Sequence, residues 1–139
     1  MSSLSPAVAT LNVAIGGAVG AALRYQLGRA MTHWLGIAAI DRFPWATLAA
    51  NAIGCLAMGL LAGWLARHGS GGPFGGEQAR LLLGVGLLGG FTTFSSFGLE
   101  MMLLTERGQP SMALIYAVVS VVAGFAGLWT GLHAMRIFG

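Results

Sequence analysis

Residues 89–97 read Gly-Gly-Phe-Thr-Thr-Phe-Ser-Ser-Phe, inside a run (81–99) that holds no Asp, Glu, Lys or Arg. A run of that length and apolarity reads as a membrane span. Paired glycines followed by paired hydroxyls, however, loosen a helix in lipid. They bring carbonyls and hydroxyls to membrane depth, where non-helical backbone is tolerated only if it is buried in protein or lines a polar path. The stretch therefore predicts a span with a helix break and a polar site, suited to handling an ion.

Outward from it, three more runs lack charged side chains: 1–23, 43–66 and 108–135. The 139 residues are 56% hydrophobic and 8% charged, against about 25% charged for a soluble domain. The fold class expected is an all-α membrane protein, one four-helix transmembrane domain over 1–139, with helices at about 8–31, 45–66, 79–104 and 112–135. The first span does not read as a signal peptide, because no basic region precedes it and its apolar run is too long.

All positive charge comes from Arg24, Arg29, Arg42, Arg67, Arg80, Arg107 and Arg136. They are scattered, which argues against a nucleic-acid surface. Cys55 is the single cysteine; with no partner for a disulfide and no metal-ligand spacing, it reads as a small packing residue. Four spans put both termini on one side of the membrane. Arg67, Arg80 and Arg136 then lie near that side, and Arg29, Arg42 and Arg107 near the other. Orientation normally follows an excess of Lys and Arg on the cytoplasmic side. The balance has two readings: one arginine counted on the wrong side, or insertion both ways round. So few helices enclose little beyond their own packing, so an ion path would need a partner. An antiparallel homodimer with its two-fold axis in the membrane plane meets both points.

Each span carries a Gly-x-x-x-Gly: Gly16/Gly20, Gly59/Gly63, Gly86/Gly90 and Gly127/Gly131. Small residues at that spacing let helix backbones approach closely, but the pattern does not say which helices pair. Arg24, beside Tyr25, either anchors the first span at the headgroups or places positive charge at a polar vestibule. Asn51 lies six residues beyond Trp45, roughly 9 Å deeper along a helix. Its carboxamide either ties two helices together or offers donors to an anion, and Thr47 shares its face. Phe94 and Phe97, three apart, share a helix face with Phe91. An aromatic stripe is usually core packing, but Thr92, Thr93, Ser95 and Ser96 set hydroxyls beside these rings. Phenyl edges are positive and can favour a small anion without trapping it. Glu100 follows Ser96 by one turn; interfacial, arginine-paired and titrating roles all stay open. In the fourth span Tyr116 and Ser120 share a face with Gly124. His133 reads as interfacial.

Taken together, Gly-Gly-x-x-Gly-Ala-x-x-Arg-Tyr at 16–25, Thr-Leu-x-x-Asn-x-x-Gly at 47–54 and the 89–97 stretch resemble the Fluc (CrcB) fluoride-channel family. The resemblance covers nearly the whole chain. It implies a dual-topology homodimer with two antiparallel pores for passive fluoride efflux across the bacterial cytoplasmic membrane. By position, Phe94, Phe97 and Asn51 match the family's pore residues, with Thr93, Ser96, Tyr116 and Ser120 adding hydroxyls. Gly124 stands where a third hydroxyl of the fourth-span track is expected. Arg24 would serve the vestibule. The carbonyls of Gly89 and Thr92 from both copies would hold a central structural Na+ that is not transported. The partners implied are fluoride, a second copy and membrane lipid, with no nucleic acid. Fluoride is the anion of a weak acid: neutral HF enters, dissociates, and the trapped anion leaves down the membrane potential.

A small dual-topology proton-coupled multidrug exporter is the rival reading. It needs an embedded carboxylate, for which Glu100 is the lone candidate. A non-transporting scaffold would explain the glycines but not the hydroxyls. No phosphate-binding Gly-x-x-x-x-Gly-Lys-Ser/Thr and no catalytic constellation is present, so an enzyme is not expected.

Overall fold

The chain was analysed as a computed structural model that describes residues 4–69 and 76–138. The described residues are helical, with no strand among them. Most of the expected 67–78 loop lies outside them. Ser5 caps α1 (Pro6–Leu35) by accepting from the Val8 N–H at 3.4 Å, and Pro6 takes the first turn, where a missing N–H costs nothing. Gly36, at φ +81°, ends α1 and turns the chain into α2 (Ile37–Arg42). That short helix was not expected. It occupies a segment whose composition reads as loop, and it is too short to show a period.

Pro44 leads into α3 (Trp45–His68). The third span is built in pieces: α4 (Gly76–Ala79), a π-helical stretch π1 (Arg80–Leu88), α5 (Gly89–Phe91), and α6 (Phe94–Glu106). Gly108, at φ +74°, then turns the chain, with the Gln109 N–H donating to the Leu104 carbonyl at 2.9 Å and the Gly108 N–H to Thr105 at 3.0 Å. The last helix is α7 (Pro110–Phe138). Four helices or helical runs are long and apolar enough to cross a membrane, starting at Pro6, Trp45, Gly76 and Pro110. The second starts at residue 45, as expected; every other end reaches two to four residues beyond its expected bound, because the flanking residues continue as helix.

Glycines decide which spans meet. Gly16, Gly17 and Gly20 of α1 lie against π1 and α5. A Cβ on Gly16 would overlap the Leu82 carbonyl oxygen, and one on Gly20 the Leu87 carbonyl oxygen. Gly59 and Gly63 of α3 meet α7, while Gly127 and Gly131 of α7 meet α3. The four Gly-x-x-x-Gly motifs therefore sort into two pairs, first span with third and second with fourth. Gly84, Gly86 and Leu88 are the buried positions of π1, so the wider π turn runs where its glycines face neighbouring helices. A small cluster of Leu104, Ala113 and Tyr116, packed by Phe43, Leu48, Phe97 and Met101, joins α6 to α7. It holds the end of the third span that carries the polar residues.

Candidate functional site

Thr92 and Thr93 sit near the middle of the third span and are both extended, at φ −83°, ψ 159° and φ −152°, ψ 118°. Each hydroxyl finishes a helix end. Thr92 Oγ1 donates to the Leu88 carbonyl at 2.8 Å, beside the Thr92 N–H at 3.0 Å, closing α5. Thr93 Oγ1 accepts from the Ser96 N–H at 3.2 Å and donates to Ser96 Oγ at 3.1 Å, capping α6. The N-terminus of α6 thus lies at membrane depth. The positive end of its dipole therefore lies there, which favours anions nearby, although the Ser96 N–H is already capped by Thr93.

Asn51 holds the extended pair in place. Its Oδ1 accepts from the Thr93 N–H at 2.8 Å, and its Nδ2 donates to the Thr93 carbonyl at 3.0 Å. The carboxamide thereby ties α3 to the third span and keeps its second N–H donor. The Thr93 N–H, which would have continued a helix to the Gly89 carbonyl, is diverted. At Thr92, the carbonyl meets Arg24 Nη1 at a long 3.5 Å. Carbonyl oxygens suit hard cations, so the Gly89 and Thr92 oxygens fit such an ion in kind.

Three polar side chains, Thr47, Glu100 and Tyr116, are linked one turn beyond Asn51. Thr47 Oγ1 donates to Glu100 Oε1 at 2.6 Å, and the Tyr116 hydroxyl donates to Glu100 Oε2 at 2.7 Å. The carboxylate is held by two hydroxyls and by no arginine. The register was latent in the sequence: Thr47 and Asn51 are four apart, Thr93, Ser96 and Glu100 span seven, and consecutive spans run antiparallel. Tyr116 is fully buried, with its hydroxyl engaged by Glu100. Tyr116→Phe removes one of two donors to a half-buried carboxylate, which is expected to lower stability by about 1–3 kcal/mol. The thermal unfolding midpoint in detergent checks it; an unchanged midpoint would show that the bond contributes nothing.

Other candidates fall in different places. Phe97 packs on Tyr116, ring centroids 5.1 Å apart, and lies 5.8 Å from Phe94. Phe94 is 84% exposed on the single chain. Ser120 Oγ is buried with no hydrogen-bond partner, one helical turn beyond Tyr116. Cys55 is unpaired and packs beside Gly124, consistent with a packing residue. Among the described residues no cluster of His, Cys, Asp or Glu can hold a metal.

Arg24, Thr47, Thr93 and Ser96 line a cavity of about 380 Å³, together with Ala21, Tyr25, Gly28 and Ala46. No acidic residue lines it. The capped N-terminus of α6 forms one wall. On the other side of the extended pair, Asn51, Thr92, Thr93 and Phe94 line a cavity of about 260 Å³.

The fold and this site define a multi-pass helical membrane protein whose third span carries a donor-rich polar site at mid-depth. The chain belongs to the CrcB family: residues 11–132 match the family described as CrcB-like protein, Camphor Resistance (CrcB). A protein of Erythrobacter litoralis named fluoride-specific ion channel FluC is 56% identical over 138 residues, 99% of both chains. Relatives of the same name are 56% identical in Novosphingobium aromaticivorans, over 92% of this chain and 96% of that one. In Sphingopyxis alaskensis the figure is 49%, over 98% and 97%.

Proposed function

We propose that this chain is a fluoride-selective channel of the bacterial cytoplasmic membrane that lets fluoride leave passively and keeps its cytoplasmic level low. The observation that carries the reading furthest is the 380 Å³ cavity at mid-span, walled by Arg24, Thr47, Thr93, Ser96 and a helix N-terminus. Its polar groups include a guanidinium, hydroxyls and N–H groups, and no carboxylate lines it. A small anion of high charge density gains most from close donors, while the absence of a deep cationic trap lets it leave. Nothing is made or broken, so the chain acts as a channel and not as an enzyme.

In this reading the third span works as a broken helix, and fluoride passes Asn51, Thr93 and Ser96 with the ring edges of Phe94 and Phe97 turned toward it. Tyr116 and Ser120 continue the polar track. Two copies inserted in opposite senses form an antiparallel homodimer with two pores. The support is physical: a polar cavity opening from a single chain at membrane depth is costly against hydrocarbon unless other protein covers it. The carbonyls of Gly89 and Thr92 from both copies would hold a structural Na+, which supplies a fixed positive charge on the two-fold axis. Replacing Na+ by a large organic cation is then expected to lower the unfolding midpoint; identical midpoints would remove Na+ from the account. A proton-coupled exporter is less well supported, since both oxygens of Glu100 accept hydroxyls instead of standing free for proton and substrate.

Expression in a bacterial strain stripped of its own fluoride exporters tests the function. Growth on fluoride at mildly acidic pH, where HF enters, is expected to be restored. Continued sensitivity with well-expressed, membrane-inserted protein would contradict it. For the assembly, Gln109→Cys in a Cys55→Ala background is expected to react from outside in about half of all copies. Reaction in all copies or none would rule out dual insertion.

A further inference from the structure

A second, larger cavity of about 830 Å³ lies between the end of α1 and α2, lined by Arg24, Tyr25, Gly28, Arg29, Thr32, His33, Gly36 and Ile37. It shares Arg24, Tyr25 and Gly28 with the mid-span cavity but opens outward at the membrane surface end. Depth follows from length. The 30 residues of α1 span about 45 Å, more than the roughly 30 Å of hydrocarbon, so the last turns stand among the headgroups. Trp34, in the last turn of α1, is exposed, as suits a residue at the headgroup level.

The lining is basic; the Thr32 hydroxyl donates to the Gly28 carbonyl at 2.9 Å and can still accept, while the arginine and histidine donors are largely unengaged. Two arginines and a histidine face it, and no acidic residue lines it. Some basic groups elsewhere are engaged, although Arg42, Arg80 and Arg136 show no side-chain partner among the described residues either. Arg67 donates to the carbonyls of Met135 at 2.8 Å and Arg136 at 3.3 Å, and Arg107 donates to that of Asp41 at 3.1 Å. His68 and His133 each bond through Nδ1 to the carbonyl of a tryptophan four residues earlier and stack on its ring. Arg29 and His33 have no hydrogen-bond or ion-pair partner among the described residues, and Arg24 has only its long contact to Thr92. A cavity of that volume far exceeds one halide ion, while a phosphodiester with its glycerol fits its size and sign.

We propose that the cavity lined by Arg24, Arg29, Thr32 and His33 is a binding site for the phosphate of an anionic lipid headgroup. Basic pockets beside membrane helices take such groups. The guanidinium of Arg29 and the imidazole of His33 would hold the phosphate oxygens, Tyr25 and Ile37 would pack along the glycerol and first methylenes, and Gly36 leaves room for the chain to turn round them.

The test uses full-length protein in nanodiscs of mixed phosphatidylglycerol and phosphatidylcholine, released and weighed by native mass spectrometry. Phosphatidylglycerol is expected to be retained over phosphatidylcholine roughly fivefold or more, about the contribution of one basic residue at a membrane surface. The preference should be lost in Arg29→Gln/His33→Gln and kept in Arg80→Gln, which removes a charge elsewhere. Photo-crosslinking phosphatidylglycerol to the unaltered protein, with mapping expected to fall within residues 24–37, gives the answer without any variant. Equal retention of the two lipids, an undiminished preference in the double variant, or crosslinks confined to other helices would overturn the proposal. Displacement of the lipid by excess inorganic phosphate would also overturn it, by assigning the cavity to a soluble anion.

Discussion

Asn51→Ala is expected to slow fluoride efflux roughly 10- to 100-fold, while the protein still purifies folded. The magnitude comes from the two bonds that Asn51 makes to Thr93, at 2.8 and 3.0 Å. Without the carboxamide, the N–H and carbonyl of an extended residue 8% exposed lose their partners. Each unsatisfied group costs about 1–3 kcal/mol, and each 1.4 kcal/mol is a factor of about ten. The chain can recover part of that only by letting Thr93 rejoin a helix. That would pull the cap off Ser96 and move the α6 N-terminus away from the cavity. Asn51→Asp is the companion. It keeps an acceptor for the Thr93 N–H but brings a negative charge to the anion path, so its flux should fall at least as far. The measurement is initial efflux rate from liposomes at matched protein density. Unchanged flux in both would take Asn51 out of the path and out of the scaffold around it.

Gly20→Val is expected to abolish assembly of the folded protein. Its Cβ would overlap the Leu87 carbonyl oxygen and stand 2.8 Å from the Phe91 backbone nitrogen and 2.9 Å from the Leu87 carbonyl carbon. Those neighbours are backbone atoms of π1 and α5, which cannot swing aside as a side chain can. Overpacking costs about 1–3 kcal/mol where neighbours yield, so about 3 kcal/mol or more is expected here. The damage would spread to Thr92 and Thr93, because α5 leads directly into them. Ala22→Val, on an exposed position of the same helix, is the control and should behave as the parent. Size-exclusion profile and thermal unfolding in detergent read both. A monodisperse Gly20→Val protein with the parent's midpoint would mean that α1 and the third span do not meet as closely as described.

The four spans were legible because charge-free runs of that length have few other fates. Close packing was legible from the glycines, but its partners were not. All four spans carry the same Gly-x-x-x-Gly, and only three-dimensional contact separates Gly16/Gly20 against π1 and α5 from Gly59/Gly63 against α7. The π turn at Arg80–Leu88 left no mark in the sequence, since a hydrogen-bond register within an apolar helix is set by what it packs against. At the site, the hydroxyl run signalled polarity at depth, yet two of its members act locally: Thr92 closes α5 and Thr93 caps α6. The Thr-x-x-Ser spacing at 93–96 could have disclosed that cap. Asn51 was singled out for its buried carboxamide, but its partner, 42 residues away, follows only from the fold. Glu100 was open between three roles; Thr47 and Tyr116 hold it, because the one arginine at mid-span, Arg24, reaches toward the Thr92 carbonyl and hydroxyls are what packs beside Glu100.

The central proposal is that fluoride passes the mid-span cavity without coupling to protons. Purified protein in liposomes loaded with fluoride and chloride, with no proton gradient and a potassium ionophore to balance charge, tests it most directly with ion-selective electrodes. The account predicts rapid fluoride efflux with chloride retained. Demonstrably folded protein that releases neither ion, releases both alike, or releases fluoride only when a proton gradient is imposed would contradict it.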